Sequence, residues 1–271
     1  MGAGGPPSQA TSETIGLLAM TVKAPSIILE KVSVEFPVYD VQDRSFRSAL
    51  LGKSKLKKID DASSSRTVLK ALDSVTINIS SGERVALIGK NGAGKSTLLQ
   101  VMAGIYEPVE GSCVTIGSVA SMLNLGFGMR EDLSGWENIE LAGLMAGMKQ
   151  SEIELKKDET AEFSELGEYL SLPISTYSSG MRARLAFSIT SSIEADILLI
   201  DEVFGAGDAA FTEKAAKRME EMIHSSEIMV FASHSDELLR RFCTRGILLI
   251  DGEVKYIGTV ERALSSYHQE Q

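Results

Sequence analysis

The chain has 271 residues, 44% of them hydrophobic and 24% charged, which suffices for one large globular domain with a full hydrophobic core. Its formal net charge of −10 at pH 7 argues against a nucleic-acid partner, because phosphate backbones repel an acidic surface. No run approaches the ~20 apolar residues that span a bilayer, and the N-terminus lacks the basic region of a signal peptide, so we expect a protein that folds in the cytosol and can still dock on a membrane protein.

The N-terminal part of the chain predicts a tail, two strands and an insertion. Residues 1–24 are rich in Gly, Pro, Ser and Thr, which is typical of a disordered tail, and the single domain is expected over residues 25–268. Alternating apolar and polar residues predict strands at Ser26–Phe36 and Val68–Ile79. The basic insertion between them, residues 37–66, is either a solvated surface segment or a docking surface for acidic lipid or a partner.

The strongest motif is a glycine-rich phosphate loop, GKNGAGKS, which lies between the apolar strand ERVALIG and a helix ended by Gly104. It matches G-x-x-x-x-G-K-[ST] in the context that the motif requires. Glycines let successive N–H groups point at phosphate oxygens, and the helix start adds its dipole. We expect Lys95 to act in catalysis at the β- and γ-phosphates and Ser96 to ligate Mg²⁺. The predicted phosphate-contacting residues are Gly89, Asn91, Gly92, Ala93, Gly94, Lys95, Ser96 and Thr97.

The middle of the chain predicts short strands, from about Ser112 to Leu125, followed by a helical lobe at about residues 134–190 that contains the sole tryptophan, Trp136. Within this lobe the stretch YSSGMRARLAF places two serines and a glycine before an Arg-studded helix. Such a start either caps the helix or binds an anion, because its N–H groups and dipole end are exposed there.

Two further candidates follow apolar strands in the C-terminal half of the chain. The strand DILLIDE ends in Asp201, a candidate Mg²⁺ ligand, and Glu202, a candidate general base, although an Asp-Glu pair is often only a solvated strand end. His234 follows the strand EIMVFAS, where it can contact a γ-phosphate or instead be an ordinary surface residue. Catalytic groups in open α/β sheets gather at this edge.

The remaining pattern alternates apolar strands with helices, which predicts an α/β protein with a mostly parallel sheet. It includes a helix TEKAAKRMEEMI, a hairpin GILLIDGEVKYIG with a tight Asp-Gly turn, and a last helix at about Val260–Tyr267. Cys113 and Cys243 lie far apart without metal-binding spacing and are predicted to be free buried thiols.

In this order, the phosphate loop, YSSGM, DILLIDE and His234 resemble the ATP-binding subunit of an ABC transporter, over about Ile28 to Tyr267. The resemblance implies the ABC ATPase form of the P-loop NTPase fold, with a mostly parallel sheet core, an antiparallel β part and a helical lobe. YSSGM occupies the place of the family's L-S-G-G-Q signature. Its first position, its first glycine and its glutamine are replaced.

Three features resemble the branch that exports O-antigen, capsule or teichoic-acid polysaccharides. They are the insertion at residues 37–66, the stretch LNLGFGMREDLSGWENIELAG at Leu123–Gly143, and DEVFGAGDAAF at Asp201–Phe211. The resemblance implies that Asn124 stands in place of a metal-contacting glutamine and that Asp208 lies in the loop that contacts the second copy at the nucleotide. It also implies an aromatic that stacks on adenine, for which Phe36 fits best and Tyr39 second.

The resemblance further implies how the protein works. Two copies would pack head to tail, and Ser178, Ser179 and Gly180 of one would cap the γ-phosphate of ATP held with Mg²⁺ by the other. This homodimer would bind a polytopic membrane permease at the cytoplasmic face of the inner membrane, through the region around Trp136, and power export of a lipid-linked polysaccharide without any nucleic acid. The alternatives are transport of another substrate, or a soluble ABC ATPase acting on ribosomes or DNA.

Overall fold

A computed structural model describes residues 24–38, 56–61, 64–123, 126, 128–201 and 209–270. The strands in these ranges are β1 (Ser26–Val38), β2 (Leu56–Asp61), β3 (Ser64–Ser80), β4 (Arg84–Ile88), β5 (Glu110–Ile116), β6 (Val119–Met122), β7 (Ile197–Asp201), β8 (Ile228–Ala232), β9 (Arg245–Ile250) and β10 (Glu253–Thr259). The α-helices are α1 (Lys95–Met102), α2 (Gly135–Met145), α3 (Gln150–Ser164), α4 (Ser179–Ser192), α5 (Ala209–Ser225), α6 (Asp236–Phe242) and α7 (Val260–Gln269).

The core sheet has the strand order β10-β9-β4-β8-β7-β6. Its neighbours pair in parallel except β10 and β9, which form an antiparallel hairpin. The parallel strands place their carboxyl ends at one edge, as the alternating sequence predicts.

Both faces of this sheet are covered, which explains why its strands read as continuous apolar runs. Successive side chains of β4 alternate between two clusters: Val85 and Leu87 pack with the antiparallel sheet and α1, whereas Ala86 and Ile88 pack on the side of α5 and α7. The four strand residues are at most 3% exposed. The phosphate loop therefore starts from a rigid, fully packed strand.

A second, antiparallel sheet has the order β2-β3-β1-β5. Part of the basic insertion belongs to it, which the sequence pattern did not predict: Leu56–Asp61 pairs with residues 64–69 at the sheet edge. Polar and basic composition hides such an edge strand, because its pairing uses backbone groups. Residues 39–55, with Tyr39, and the predicted tail up to residue 23 lie outside the described residues.

The helical segment between β6 and β7 has its own apolar cluster, formed by α2, α3, α4 and two 3₁₀ turns, Gly167–Ser171 and Ile174–Thr176. Trp136 packs against this cluster and is half-buried, with the ammonium of Lys157 5.8 Å from its ring. The short helix α6, which begins two residues after His234, was not predicted, because seven residues are too few to display a clear helical period.

Both cysteines are free thiols, as predicted, with Cys243 buried and Cys113 half-buried. Burial raises the pKa of Cys243 to about 12. Among the described helices, none has the length and apolarity to cross a membrane.

Candidate functional site

The carboxyl ends of four core strands meet around one cleft of about 490 Å³. The loop after β4 forms one wall, Leu123 follows β6, β7 contributes its last residue, Asp201, and the segment after β8 contributes His234. The described residues that line it are Phe36, Leu69, Ala71, Asn91, Gly92, Gly94, Lys95, Ser96, Thr97, Leu123, Asp201, Ala232, Ser233 and His234. The structure thus gathers candidates that lie up to about 200 positions apart in the sequence.

The loop from β4 to α1 curls because Gly94 adopts a left-handed conformation, φ +110°, just before the helix begins at Lys95. A Cβ atom there would lie 2.7 Å from the carbonyl oxygen of Ala71. Only glycine tolerates both the backbone conformation and this close approach. The contact between the loop and β3 therefore explains why the second fixed position of the motif is a glycine.

Lys95 is only 9% exposed and anchors the loop from within. Its ammonium donates hydrogen bonds to the carbonyl oxygens of Gly89, at 2.6 Å, and of Lys90, at 3.2 Å. The amine therefore lies under the curl of the backbone, at the wall of the cleft where phosphate oxygens would meet the loop N–H groups.

The hairpin turn between β9 and β10 clamps this loop, a contact that sequence reasoning missed. The N–H of Gly252 donates to the carbonyl oxygen of Ala93, at 2.9 Å, and the carbonyl of Gly252 accepts from the N–H of Asp73, also at 2.9 Å. Asp251 and Gly252 have φ of +51° and +84°, as a tight Asp-Gly hairpin turn requires. The turn was predicted, but its distant partners leave no local signal.

The two ends of the cleft differ in chemistry. Phe36 and Leu69, which pair across β1 and β3, form an apolar end, whereas the phosphate loop, Asp201 and His234 form a polar end, with the backbone of Ala71 next to Gly94 of the loop. Such a division suits a ligand with a flat apolar part and a charged tail. Leu69 and Ala71 were not predicted, because they look like ordinary strand residues, and neither were Leu123, Ala232 and Ser233.

Five other predicted site residues do not line the described cleft. Gly89 and Ala93 do not line the cleft but support the loop through their carbonyl oxygens, which accept from Lys95 and Gly252. Glu202, Asp208 and Asn124 lie outside the described residues.

The signature stretch lies apart from the cleft of its own chain. Ser178 caps α4 by accepting a hydrogen bond from the N–H of Met181, at 3.2 Å, as the capping interpretation of the sequence predicts. Ser178 and Ser179 are exposed, Gly180 is half-buried, and none of the three lines the cleft. Within one chain, the structure does not bring them to the phosphate loop.

Two hydrogen bonds and a surface ion pair hold the start of α4. The Tyr177 hydroxyl donates to the carbonyl oxygen of Tyr169, at 2.6 Å, and burial raises the pKa of this phenol, so it stays a neutral donor. The N–H of Ile174 donates to the carbonyl of Leu133, at 3.0 Å, immediately before the capping box of α2. An ion pair of 2.8 Å joins Arg182 to Glu131. The signature turn is therefore tied to the segment that leads into α2.

Comparison with known proteins identifies the family. The sequence profile described as "ABC transporter" matches residues 72–205. The "O-antigen export system ATP-binding protein RfbE" of Yersinia enterocolitica is 46% identical over 220 residues, which cover 81% of this chain and 92% of that protein. The chain belongs to the ATP-binding proteins of ABC transporters. This ABC protein is also 36% identical over 244 residues to the "Teichoic acids export ATP-binding protein TagH" of Staphylococcus haemolyticus, covering 90% of the chain and 88% of the relative.

Solved structures agree on the fold of this ABC protein. It superposes on a dimeric post-hydrolysis state of the ATP-binding cassette MJ0796 bound to ADP and Pi with a TM-score of 0.61, at 22% identity, covering 86% of this chain and 98% of that one. The structure of an ATP-binding subunit of an ABC transporter gives 0.64 at 21% identity, covering 90% and 98%. The predicted ABC ATPase fold is confirmed, and so is the resemblance to the polysaccharide-export branch, for which the two relatives are named.

Proposed function

We propose that this chain is the ATP-hydrolysing subunit of an ABC transporter that exports a lipid-linked polysaccharide across the cytoplasmic membrane. Two copies would act together on a polytopic permease at the cytoplasmic face of the inner membrane. The observation that carries the proposal is the cleft with one apolar and one polar end, in a chain whose relatives are named for O-antigen and teichoic-acid export.

ATP fits the division of the cleft. We assign the adenine to the apolar end beside Phe36 and the triphosphate to the phosphate loop, where Lys95 and the N-terminus of α1 supply positive charge. The hydroxyl of Ser96 and the carboxylate of Asp201 line the same polar end, and hard oxygen ligands suit Mg²⁺. Bound there, Mg²⁺ would neutralise charge on the phosphates. Asn124 is the third proposed ligand.

Hydrolysis needs an oriented water and a group that takes its proton. Glu202, which directly follows Asp201, is the proposed general base. His234 lines the polar end of the cleft and is exposed within it, which suits a hydrogen bond to the γ-phosphate. Lys95 would stabilise the charge that develops on the phosphoryl group during transfer.

A second copy would complete the site. The exposure of Ser178 and Ser179, and their separation from the cleft of their own chain, support a role on the nucleotide of a partner, with Asp208 at the same interface. ATP would then hold the two copies together, and loss of the γ-phosphate would release them.

Coupling to the membrane would pass through α2. Leu144 and Met145, at the end of this helix, are 53% and 66% exposed, and the start of α2 is joined by hydrogen bonds to the segment before the signature turn. We assign Leu144 and Met145, at the end of α2, and the half-buried Trp136, at its start, to the region that docks on the permease. Movement of the permease contact would thereby reach the residues that close the dimer.

The test is capture of the permease from solubilised membranes with a tagged chain. We expect a polytopic membrane protein to co-purify with the unaltered chain, and a chain carrying both Leu144→Glu and Met145→Glu to lose it while still binding ATP, because the exposed end of α2 lies away from the cleft. A protein that is equally active and soluble whether or not any permease is present would contradict the transport proposal.

A further inference from the structure

The aromatic ring at the apolar end of the cleft is in contact with a second ring. Phe36 lines the cleft, and the ring of Tyr106 packs against it from outside, with ring centroids 5.4 Å apart and planes at 71°. This edge-to-face arrangement is one of the two favourable geometries for aromatic pairs. Tyr106 is not among the described residues that line the cleft. One side of Phe36 is thus packed on protein while the ring borders the cleft.

The backbone of Tyr106 is fixed by contacts on both sides. Its N–H donates to the carbonyl oxygen of Gln100, at 3.3 Å, in the last turn of the helix that begins at the phosphate loop. Three residues later, the N–H of Val109 donates to the carbonyl of Ser33, at 2.8 Å, in the same strand that carries Phe36. The segment that holds Tyr106 therefore joins α1 to β1.

Phe36 itself lies on an irregular stretch of strand. The pairing of β1 with β3 shifts register between Val32 and Val34 and again between Val34 and Glu35, just before Phe36. Such bulges re-aim the side chains that follow them. The half-buried Phe36 packs on one side against the main apolar cluster, and among the described residues Tyr106 is the aromatic ring in contact with it.

We propose that Tyr106 is a positioning residue for the base of the nucleotide: it holds the ring of Phe36 in the orientation on which a purine stacks. The inference rests on the proposed binding of ATP with its adenine at Phe36. A pre-oriented ring loses less rotamer freedom when the base binds, so the contact strengthens base binding without touching the nucleotide. The phosphate contacts do not depend on it.

The experiment compares two ligands, ATP and inorganic tripolyphosphate, by calorimetry on the full chain. Tyr106→Ala should raise the Kd for ATP about threefold to tenfold, part of the contribution of a base–aromatic stack, and leave the Kd for tripolyphosphate unchanged. Tyr106→Phe should behave like the unaltered chain, because the ring makes the contact. Val109→Ala, an exposed apolar residue of the same segment, is the matched control and should change neither Kd.

A Phe36→Ala background separates the positioning role from general damage. If Tyr106 acts through Phe36, then Tyr106→Ala should cause no further rise in the Kd for ATP in a chain that already carries Phe36→Ala. Tyr106→Leu keeps apolar bulk at this half-exposed site, should fold, and should show the same selective loss for ATP. A loss that persists in the Phe36→Ala background, or that appears equally with tripolyphosphate, would overturn the inference.

The same measurements distinguish failure of the inference from failure of the proposed adenine site. If Phe36→Ala weakens ATP binding but Tyr106→Ala does not, only the proposed role of Tyr106 is wrong. If Phe36→Ala changes neither Kd, the base does not stack at Phe36, and both statements fall.

Discussion

Two lysines of the phosphate loop differ in what their ammonium groups contact. Lys95 is buried and donates to the carbonyls of Gly89 and Lys90 at the wall of the cleft. Lys90 is exposed and donates to the carbonyl oxygen of Glu270, at 3.2 Å, next to the end of α7. Of these two lysines, only Lys95 lines the cleft.

At this scale we predict that Lys95→Ala weakens ATP binding by roughly tenfold to a hundredfold, because hydrogen bonds to a charged group contribute about 1.5–3 kcal/mol each. Lys90→Ala removes the same charge from the same loop and is the matched control, with little expected change. Titration of both variants with a fluorescent ATP analogue measures the difference. Equal Kd values for Lys95→Ala and the unaltered chain would remove Lys95 from the site.

Single residues were predictable from the sequence where a local motif encodes them. The phosphate loop was found because its spacing reflects one continuous curl of backbone, and the structure places Asn91, Gly92 and Ser96 in the cleft. Leu69 and Ala71 line the same cleft without any such signal, because they reach it only when β3 packs beside the loop. Their place in the cleft depends on tertiary packing, which a short stretch of sequence does not reveal.

Among elements, the turn between β9 and β10 has the most direct effect on the site. Gly252 links the phosphate loop at Ala93 to β3 at Asp73 through two backbone hydrogen bonds. A Cβ atom on Gly252 would lie 2.7 Å from the carbonyl oxygen of Ala71. The hairpin thus acts as a brace for a loop that is about 160 positions earlier in the chain.

We expect Gly252→Ala to raise the Kd for ATP about fivefold, the equivalent of one hydrogen bond of about 1 kcal/mol, in addition to a stability loss. Gly82→Ala is the control, because Gly82 also has a positive φ, +86°, but no atom lies within 4 Å of the Cβ position. Both variants should lose about 1–2 kcal/mol of stability from backbone strain, and Gly252→Ala should lose more, because its Cβ would also lie 2.7 Å from the carbonyl oxygen of Ala71; thermal melting measures both losses. An unchanged ATP affinity in Gly252→Ala would mean that the turn supports only the fold.

Elements were predictable where periodicity is long. The core strands and α4 followed from continuous apolar runs or a helical pattern, whereas α6 is too short to show one. The edge strand β2 was not predicted, because polar residues pair through their backbone groups as readily as apolar residues do. Composition alone does not distinguish such a strand from a loop.

On the scale of the whole molecule, an aromatic and ionic contact joins the helical segment to the core. Phe163 of α3 packs on Phe187 of α4 and Phe211 of α5, with centroids 6.0 and 5.9 Å apart. Glu165 accepts from Lys214, at 2.8 Å, and lies 3.5 Å from Arg184 of the signature helix. The signature helix is thereby attached to the helix that follows the strand of Asp201, although its own serines lie away from the cleft.

Each chain therefore carries the two halves of the proposed ATP site on different parts of its surface. The resemblance to ABC ATPases implied that Ser178 and Lys95 act on different nucleotides, and Ser178 does not line the cleft of its own chain. A head-to-tail pair of chains is the assembly that would bring Ser178 of one copy to Lys95 of the other. In the proposed mechanism, ATP therefore closes a dimer.

The most direct measurement is the mass of the complex formed by a Glu202→Gln variant with ATP and Mg²⁺, by size-exclusion chromatography with light scattering. Removing the proposed general base should abolish turnover, preserve ATP binding and hold the chain as a dimer. Adding Ser178→Arg should return it to a monomer that still binds ATP, because Ser178 does not line its own cleft. A Glu202→Gln variant that binds ATP but elutes only as monomer, or a dimer that Ser178→Arg leaves intact, would contradict the account.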